Sequence, residues 1–233
     1  MMVRPRFMEA GPAYALWASN YPAHAHNPLM RAEERAMLSL MPGGLQGQSV
    51  LDVGCGSGRY MLHVLRGGAH RVSGVDFSPQ MLQRAELELN SYRADAEIKL
   101  LQGDLSAIPV PDGWADVTVC GLVVGHVENL PQALQELKRV TRPGGTLFCS
   151  DVHPIGHALG WVRDFKSGEQ HYAVRHTQHL YSHWHAACAA QGLQIERVLE
   201  PMLDPDDIPA GARFDRQALE IPVALVLRLR RSG

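Results

Sequence analysis

Short apolar runs alternate along this chain with segments whose apolar residues recur every three or four positions. Val50, Leu51 and Val53 form a compact run of β-formers, and Tyr60, Met61, Val64 and Leu65 follow at helical spacing. A second strand is predicted over 71–76, and Pro79 then opens a helix whose apolar face is Met81, Leu82, Ala85 and Leu89. Further strands are predicted over 98–105, 114–122 and 144–152, with a helix over 131–140 (Ala133, Leu134, Leu137, Val140) between the last two. Residues 29–41 read as an amphipathic helix, 180–191 as a helix stopped by Gly192, and 193–199 and 222–229 as two final strands. Strands that alternate with helices predict a mainly parallel α/β sheet, which binds ligands at the carboxyl ends of its strands.

The first strand runs into Gly54-Cys55-Gly56-Ser57-Gly58. Alternating glycines let backbone amides approach a ligand with no Cβ in the way, and the helix behind them adds unpaired N–H groups. The dinucleotide fingerprint is G-x-G-x-x-G, whereas the spacing here is G-x-G-x-G with Asp52 two residues ahead of it. An acid at that place suits a cationic amino group better than a pyrophosphate. No G-x-x-x-x-G-K-[ST] is present. The second strand ends in Asp76, where a carboxylate can hold two ribose hydroxyls, and the third ends in Asp104.

These segments resemble the class I S-adenosylmethionine-dependent methyltransferases, in the broad small-molecule group that includes the ubiquinone/menaquinone type. The resemblance rests on VLDVGCGSGRY (50–60), GVDFSPQML (74–82), LLQGDLSAIPVPDGWADVTVC (100–120) and ELKRVTRPGGTLFCSDVHP (136–154), and covers about 14–152. It implies a Rossmann-like methyltransferase fold: a mainly parallel, seven-stranded, doubly wound sheet with an antiparallel C-terminal hairpin. The cofactor it implies is S-adenosyl-L-methionine, with S-adenosyl-L-homocysteine as product. By position, Gly54, Cys55, Gly56 and Gly58 cradle the methionine part and Asp52 orients its amino group. Asp76 takes the ribose hydroxyls, and Phe77 or Met81 covers the adenine. Gly103, Asp104 and the Leu105 backbone read the adenine edge, and the Cys120–Gly121 backbone meets the methionyl end. Tyr14 and Tyr21 belong to an aromatic segment that serves related proteins as a lid. Trp17, in the same segment, reads better as an anchor of its helix.

A single domain is expected, with an N-terminal lid and helix (1–48), a cofactor-binding core (49–152), a substrate lid and helix (153–192) and an edge hairpin (193–233). Residues 153–177 lack clear periodicity and read as a long functional loop. Seven of the twelve histidines lie within 153–185: His153, His157, His171, His176, His179, His183 and His185. Methyl transfer to an oxygen or nitrogen requires that the acceptor lose a proton, a task suited to imidazole. His153, directly after the fifth strand, is the first candidate and His126, after the fourth, the second. His171, His176 and His185 read as solvated or hydrogen-bonded surface residues. His179 and His183 stand four apart on a helix, but no H-E-x-x-H accompanies them and no metal is expected.

Composition narrows the partners. A net charge of −2 over 233 residues, with no basic arm, gives no broad attraction to nucleic acid, and no apolar run approaches membrane-spanning length. The start Met1-Met2-Val3-Arg4-Pro5 lacks a secretory apolar region. Four dispersed cysteines (Cys55, Cys120, Cys149, Cys188) suit a reducing compartment, so a cytoplasmic location is expected. The expected partner is a small-molecule methyl acceptor using an O, N or C nucleophile; a homodimer stays open. Two alternatives also stay open. One is a carboxyl O-methyltransferase acting on an acid carried by an acyl carrier protein, for which Arg163, Lys166 or Arg175 would hold the carboxylate. The other is a catalytically silent cofactor-binding subunit. A nicotinamide-dependent oxidoreductase would share the strand–loop–helix core, but the glycine spacing opposes it.

Overall fold

The structure is a computed structural model that describes residues 5–208, 210–211 and 214–233. The first four positions of the N-terminal stretch read for a leader lie outside the described residues. Ten strands and seven α-helices follow one another: β1 (Arg6–Met8), α1 (Ala10–Trp17), α2 (Pro28–Leu40), β2 (Ser49–Val53), α3 (Arg59–Arg66), β3 (Arg71–Asp76), α4 (Pro79–Leu89), β4 (Glu97–Gln102), β5 (Ala115–Gly121), α5 (Leu130–Val140), β6 (Thr141–Val152), α6 (Pro154–Ala158), β7 (Arg163–Ser167), β8 (Gln170–Val174), α7 (Tyr181–Gln191), β9 (Leu193–Leu199) and β10 (Ala224–Arg231).

Helix starts follow from local chemistry. Asn27, Ser78 and Asn129 each accept a hydrogen bond from an amide three residues on, and each precedes a helix with proline in its first turn. Gly192, at φ 64°, ends α7 in the left-handed conformation that a side chain would disfavour.

Seven strands form one sheet in the order β4-β3-β2-β5-β6-β10-β9. The first five run parallel, and β10 pairs antiparallel with both β6 and β9. Alternation of side chains gives each face its own core. Val50, Val72, Val119, Phe148 and Val226 pack with Met37, Met61 and Leu89 on one face. Leu51, Val75, Leu147, Leu225 and Leu227 pack with Leu134, Leu137 and Trp184 on the other. The chain winds outward from β2 in one direction to β4 and in the other to β6, so the β2–β5 border is the topological switch point, where such sheets open a crevice for ligands.

The segment expected as a loop over 153–177 is instead largely structured. β7 and β8 form a hairpin closed by the two-residue loop Gly168-Glu169, and β1 joins β8 in parallel to make a separate three-stranded sheet. This small sheet is fixed over the carboxyl edge of the large one by Phe165 and Val174, which pack with Tyr14, Tyr21 and Met81 and against Phe77. Its charged outer positions hide the alternation in the sequence, because few of its residues are buried. Among the described residues no helix is long and apolar enough to cross a membrane.

Candidate functional site

The glycine loop sits at the switch point. The amides of Gly54 and Cys55 donate to the Val75 carbonyl at 2.7 and 3.0 Å, tying the loop to the end of β3. All three glycines have positive φ (72°, 53° and 91°), which other residues adopt only with strain. A Cβ on Gly56 would meet no protein atom within 4 Å. The backbone here is therefore turned toward open space. On Gly54 a Cβ would run into Val123.

Two carboxylates flank this loop. Asp52 is 2% exposed, and among the described residues its Oδ2 atom has no hydrogen-bond partner. Burial pushes its carboxyl up to about 7, against the pull of the Arg59 guanidinium. An unpaired acidic oxygen held out of water at the crevice is a site for a cation with N–H donors. Asp76 accepts from the Gly56 amide through Oδ2 (2.8 Å) and from the Ser78 amide through Oδ1 (2.9 Å). Its carboxyl is raised by burial and drawn back down by these amide bonds.

The other residues assigned to the cofactor surround the same ends. Met81 is buried, and Phe77 packs edge-on to Tyr14 with ring centroids 6.3 Å apart. Strand β4 stops at Gln102, so Gly103 and Asp104 lie just past it, with Leu105 buried beyond. Asp104 is exposed and accepts from Ser106, through the hydroxyl and through the amide at 2.6 Å, bonds that hold its carboxyl low. Cys120 is fully buried. Gly121 gives room to the Tyr60 ring, which a Cβ would strike. The next residue, Leu122, is a non-glycine with positive φ (59°) and marks a sharp turn off β5.

A cavity of about 860 Å³ is bounded by α1, the turn after β5, the 153–163 segment and β8; Asp52, Asp76, Asp104 and the loop glycines do not line it. Trp17 lines one side of it, and the buried Tyr14 and Tyr21 pack against Trp17 to make an aromatic strap. Trp17 stacks on Phe165 at 4.6 Å as well as lining the cavity. Arg163 reaches across the strap: it donates to the Tyr21 hydroxyl at 2.7 Å and lies 5.4 Å from the Tyr14 ring centre.

The structure separates the two histidines proposed for proton transfer. His126 lines the cavity; its Nδ1 donates to the Arg175 carbonyl at 3.4 Å, and its Nε2 accepts from the Tyr14 hydroxyl at 2.9 Å. Burial lowers it to about 3, so it stays neutral. His153 is 7% exposed and absent from the cavity wall. Its Nδ1 caps α6 by accepting the Ile155 amide, and its Nε2 faces Glu200 at 3.1 Å. His171 bonds Asp164, His179 donates to the Val127 carbonyl, and His183 accepts from the Leu180 amide. Among the described residues no three metal-binding side chains converge. His176, read from the sequence as a surface residue, instead lines the cavity with its Nε2 on Asp151 at 2.9 Å. Only a fold-dependent contact reveals it, since Asp151 lies on β6 and His176 in the segment after β8.

Residues 51–149 match the family described as "Methyltransferase domain". Among curated proteins, a malonyl-[acyl-carrier protein] O-methyltransferase of Pectobacterium atrosepticum is 36% identical over 119 residues, 51% of this chain and 44% of that protein. A 2-phytyl-1,4-naphtoquinone methyltransferase of Synechocystis is 36% identical over 127 residues, 54% of this chain and 53% of that one. The chain thus spans about half the length of the curated relatives it matches. Among solved structures, an S-adenosylmethionine-dependent methyltransferase from Mesorhizobium loti superposes with a TM-score of 0.68 at 24% identity, covering 86% of this chain and 98% of that one.

Proposed function

We propose that this chain, whose residues 51–149 match a methyltransferase domain, is a class I S-adenosylmethionine-dependent enzyme that transfers a methyl group to a small-molecule nucleophile held in the cavity beside the ends of β5 and β6. The observation that carries the reading is the buried, unpaired Asp52 Oδ2 beside the open cradle at Gly56. A cationic α-amino group satisfies that oxygen, and a ligand backbone fills the space a Cβ would occupy. The residues therefore fit S-adenosylmethionine. Asp52 would hold its amino group, Gly54, Gly56 and Gly58 its methionine part, Asp76 its ribose hydroxyls, and Asp104 with the Leu105 backbone its adenine edge. When bound, the cofactor supplies an electrophilic methyl group on a sulfonium.

The protein's own contribution is position and shelter. Trp17, backed by Tyr14 and Tyr21, walls the cavity on one side, and Arg163 ties this strap to Leu122 by donating to that carbonyl at 3.4 Å. The rings present negative faces that suit a sulfonium.

A second reading has its own support. Arg163 lines the cavity, and among the described residues it forms no ion pair, although its burial makes a carboxylate partner favourable. That favours an acidic acceptor, such as an acid borne on a carrier protein. A screen with labelled S-adenosylmethionine over phenols, amines, free acids and carrier-bound acids tests both readings. Transfer to none of these, with S-adenosylhomocysteine still bound, would leave a cofactor-binding subunit.

A further inference from the structure

We propose that His176, held by Asp151, takes the proton from the acceptor, and that the acceptor bears an aromatic hydroxyl. The inference rests on the methyl-transfer reading and adds to it a base and a substrate class. His126 has both ring nitrogens engaged, by the Arg175 carbonyl and the Tyr14 hydroxyl. His153 has both engaged as well, and it does not line the cavity. His157 lines the cavity but is exposed, and among the described residues it has no carboxylate partner.

His176 differs in both respects. Its Nε2 lies 2.9 Å from Asp151 Oδ1, on a carboxylate only 2% exposed that also accepts the Val152 amide at 2.8 Å. A carboxylate accepts, so Nε2 carries the hydrogen and Nδ1 keeps its lone pair. Among the described residues Nδ1 has no hydrogen-bond partner. An orienting acid on one nitrogen and a free lone pair on the other is the arrangement of a general base. The sequence makes room for it: a Cβ at Gly125 would collide with the His176 ring. Asp151 also lies at the cofactor end of the sheet, one residue past Ser150, the register partner of Gly121.

The walls indicate what is deprotonated. Phe7, Trp17, Trp161 and Phe214 line the same cavity and suit a planar ring. Imidazole matches an aromatic hydroxyl far better than an aliphatic one, and a carboxylate acceptor would need no base. In the step, the acceptor O–H bond breaks and its proton passes to Nδ1. The oxygen keeps the electron pair with which it bonds the methyl carbon, and the electrons of the methyl–sulfur bond stay on sulfur. The Arg163 cation in the same cavity favours the ionised oxygen.

The test uses 4-nitrophenol, whose coloured anion reports whether a bound hydroxyl has lost its proton. It is titrated into the protein, with and without S-adenosylhomocysteine, at a pH where the free phenol is protonated. The expected result is saturable binding with appearance of the anion. H176A should remove that colour while leaving S-adenosylhomocysteine affinity within about twofold. H176Q, which retains an N–H for Asp151 and so protects the fold, should do the same. D151N, altering a positioning residue, should reduce the ionised fraction without preventing binding of the phenol. A neutral bound phenol in the wild type, no saturable binding to it, or equal ionisation in H176Q would overturn the assignment. Loss of S-adenosylhomocysteine binding in the wild type would instead refute the methyl-transfer reading, whatever the colour.

Discussion

The Gly56 amide donates to Asp76 Oδ2 at 2.8 Å, so the middle glycine of the turn after β2 is held by the acid that ends β3. One carboxylate thus shapes the loop and faces the ligand expected there. Asp76→Ala removes an acceptor from the Gly56 and Ser78 amides and from any ribose hydroxyl. Each charge-assisted bond is worth about 1.5–3 kcal/mol. The dissociation constant for S-adenosylhomocysteine is expected to rise at least tenfold by calorimetry, with a modest fall in melting temperature. An unchanged dissociation constant would remove Asp76 from the site.

Gly56→Val acts by a different route. Its branched side chain enters the open space above the loop, and its φ of 53° is one that β-branched residues resist. Binding of S-adenosylhomocysteine should be lost while circular dichroism still reports the native fold. Retained binding would mean that the ligand lies elsewhere.

Much of this was legible before the fold. Strands β2, β3, β5 and β6 announce themselves because each is buried on both faces along most of its length and so reads as an apolar run, whereas β4, at the sheet edge, is exposed at Glu97, Lys99 and Gln102. Asp52, Asp76 and the glycines are legible because a crevice at strand ends demands residues of those kinds at fixed offsets. The β1–β8 pairing is not, since Arg6–Met8 is short and its partner lies far along the chain. Nor is the His176–Asp151 contact. Position after β6 draws attention to His153, yet the chain turns there into α6 and the ring folds back to cap it. His176 arrives from β8, by a hairpin whose charged positions mask it.

His153→Ala follows from that capping geometry. The variant leaves the Ile155 amide without its acceptor and Glu200 without its partner. Loss of a cap costs on the order of 1 kcal/mol, so the melting temperature should fall by a few degrees. Cofactor affinity and turnover per folded molecule should hold. A loss of turnover of roughly 10²-fold or more with stability intact would restore His153 as the proton acceptor.

Asp52 makes the protein's stability depend on pH. Its folded carboxyl, raised to about 7, lies above the ordinary value of 3.8, so between these limits the folded state binds more protons than the unfolded. This contribution is fully present below about pH 4 and is lost as pH rises through about 7. Asp52→Asn should flatten that part of the stability profile in chemical denaturation. A cationic amino group prefers the ionised form, so cofactor binding should release a proton below about pH 7. Affinity should then weaken about tenfold for each pH unit below that point. Binding heats independent of the buffer's ionisation enthalpy would contradict this linkage.

The central claim, that the crevice at the β2–β5 border is built for S-adenosylmethionine, is tested most directly by calorimetric titration of S-adenosylhomocysteine and of NAD into the same protein. Saturable binding of S-adenosylhomocysteine, weakened at least tenfold by Asp52→Asn, with no heat from NAD, is the predicted result. Binding of NAD without binding of S-adenosylhomocysteine would contradict it.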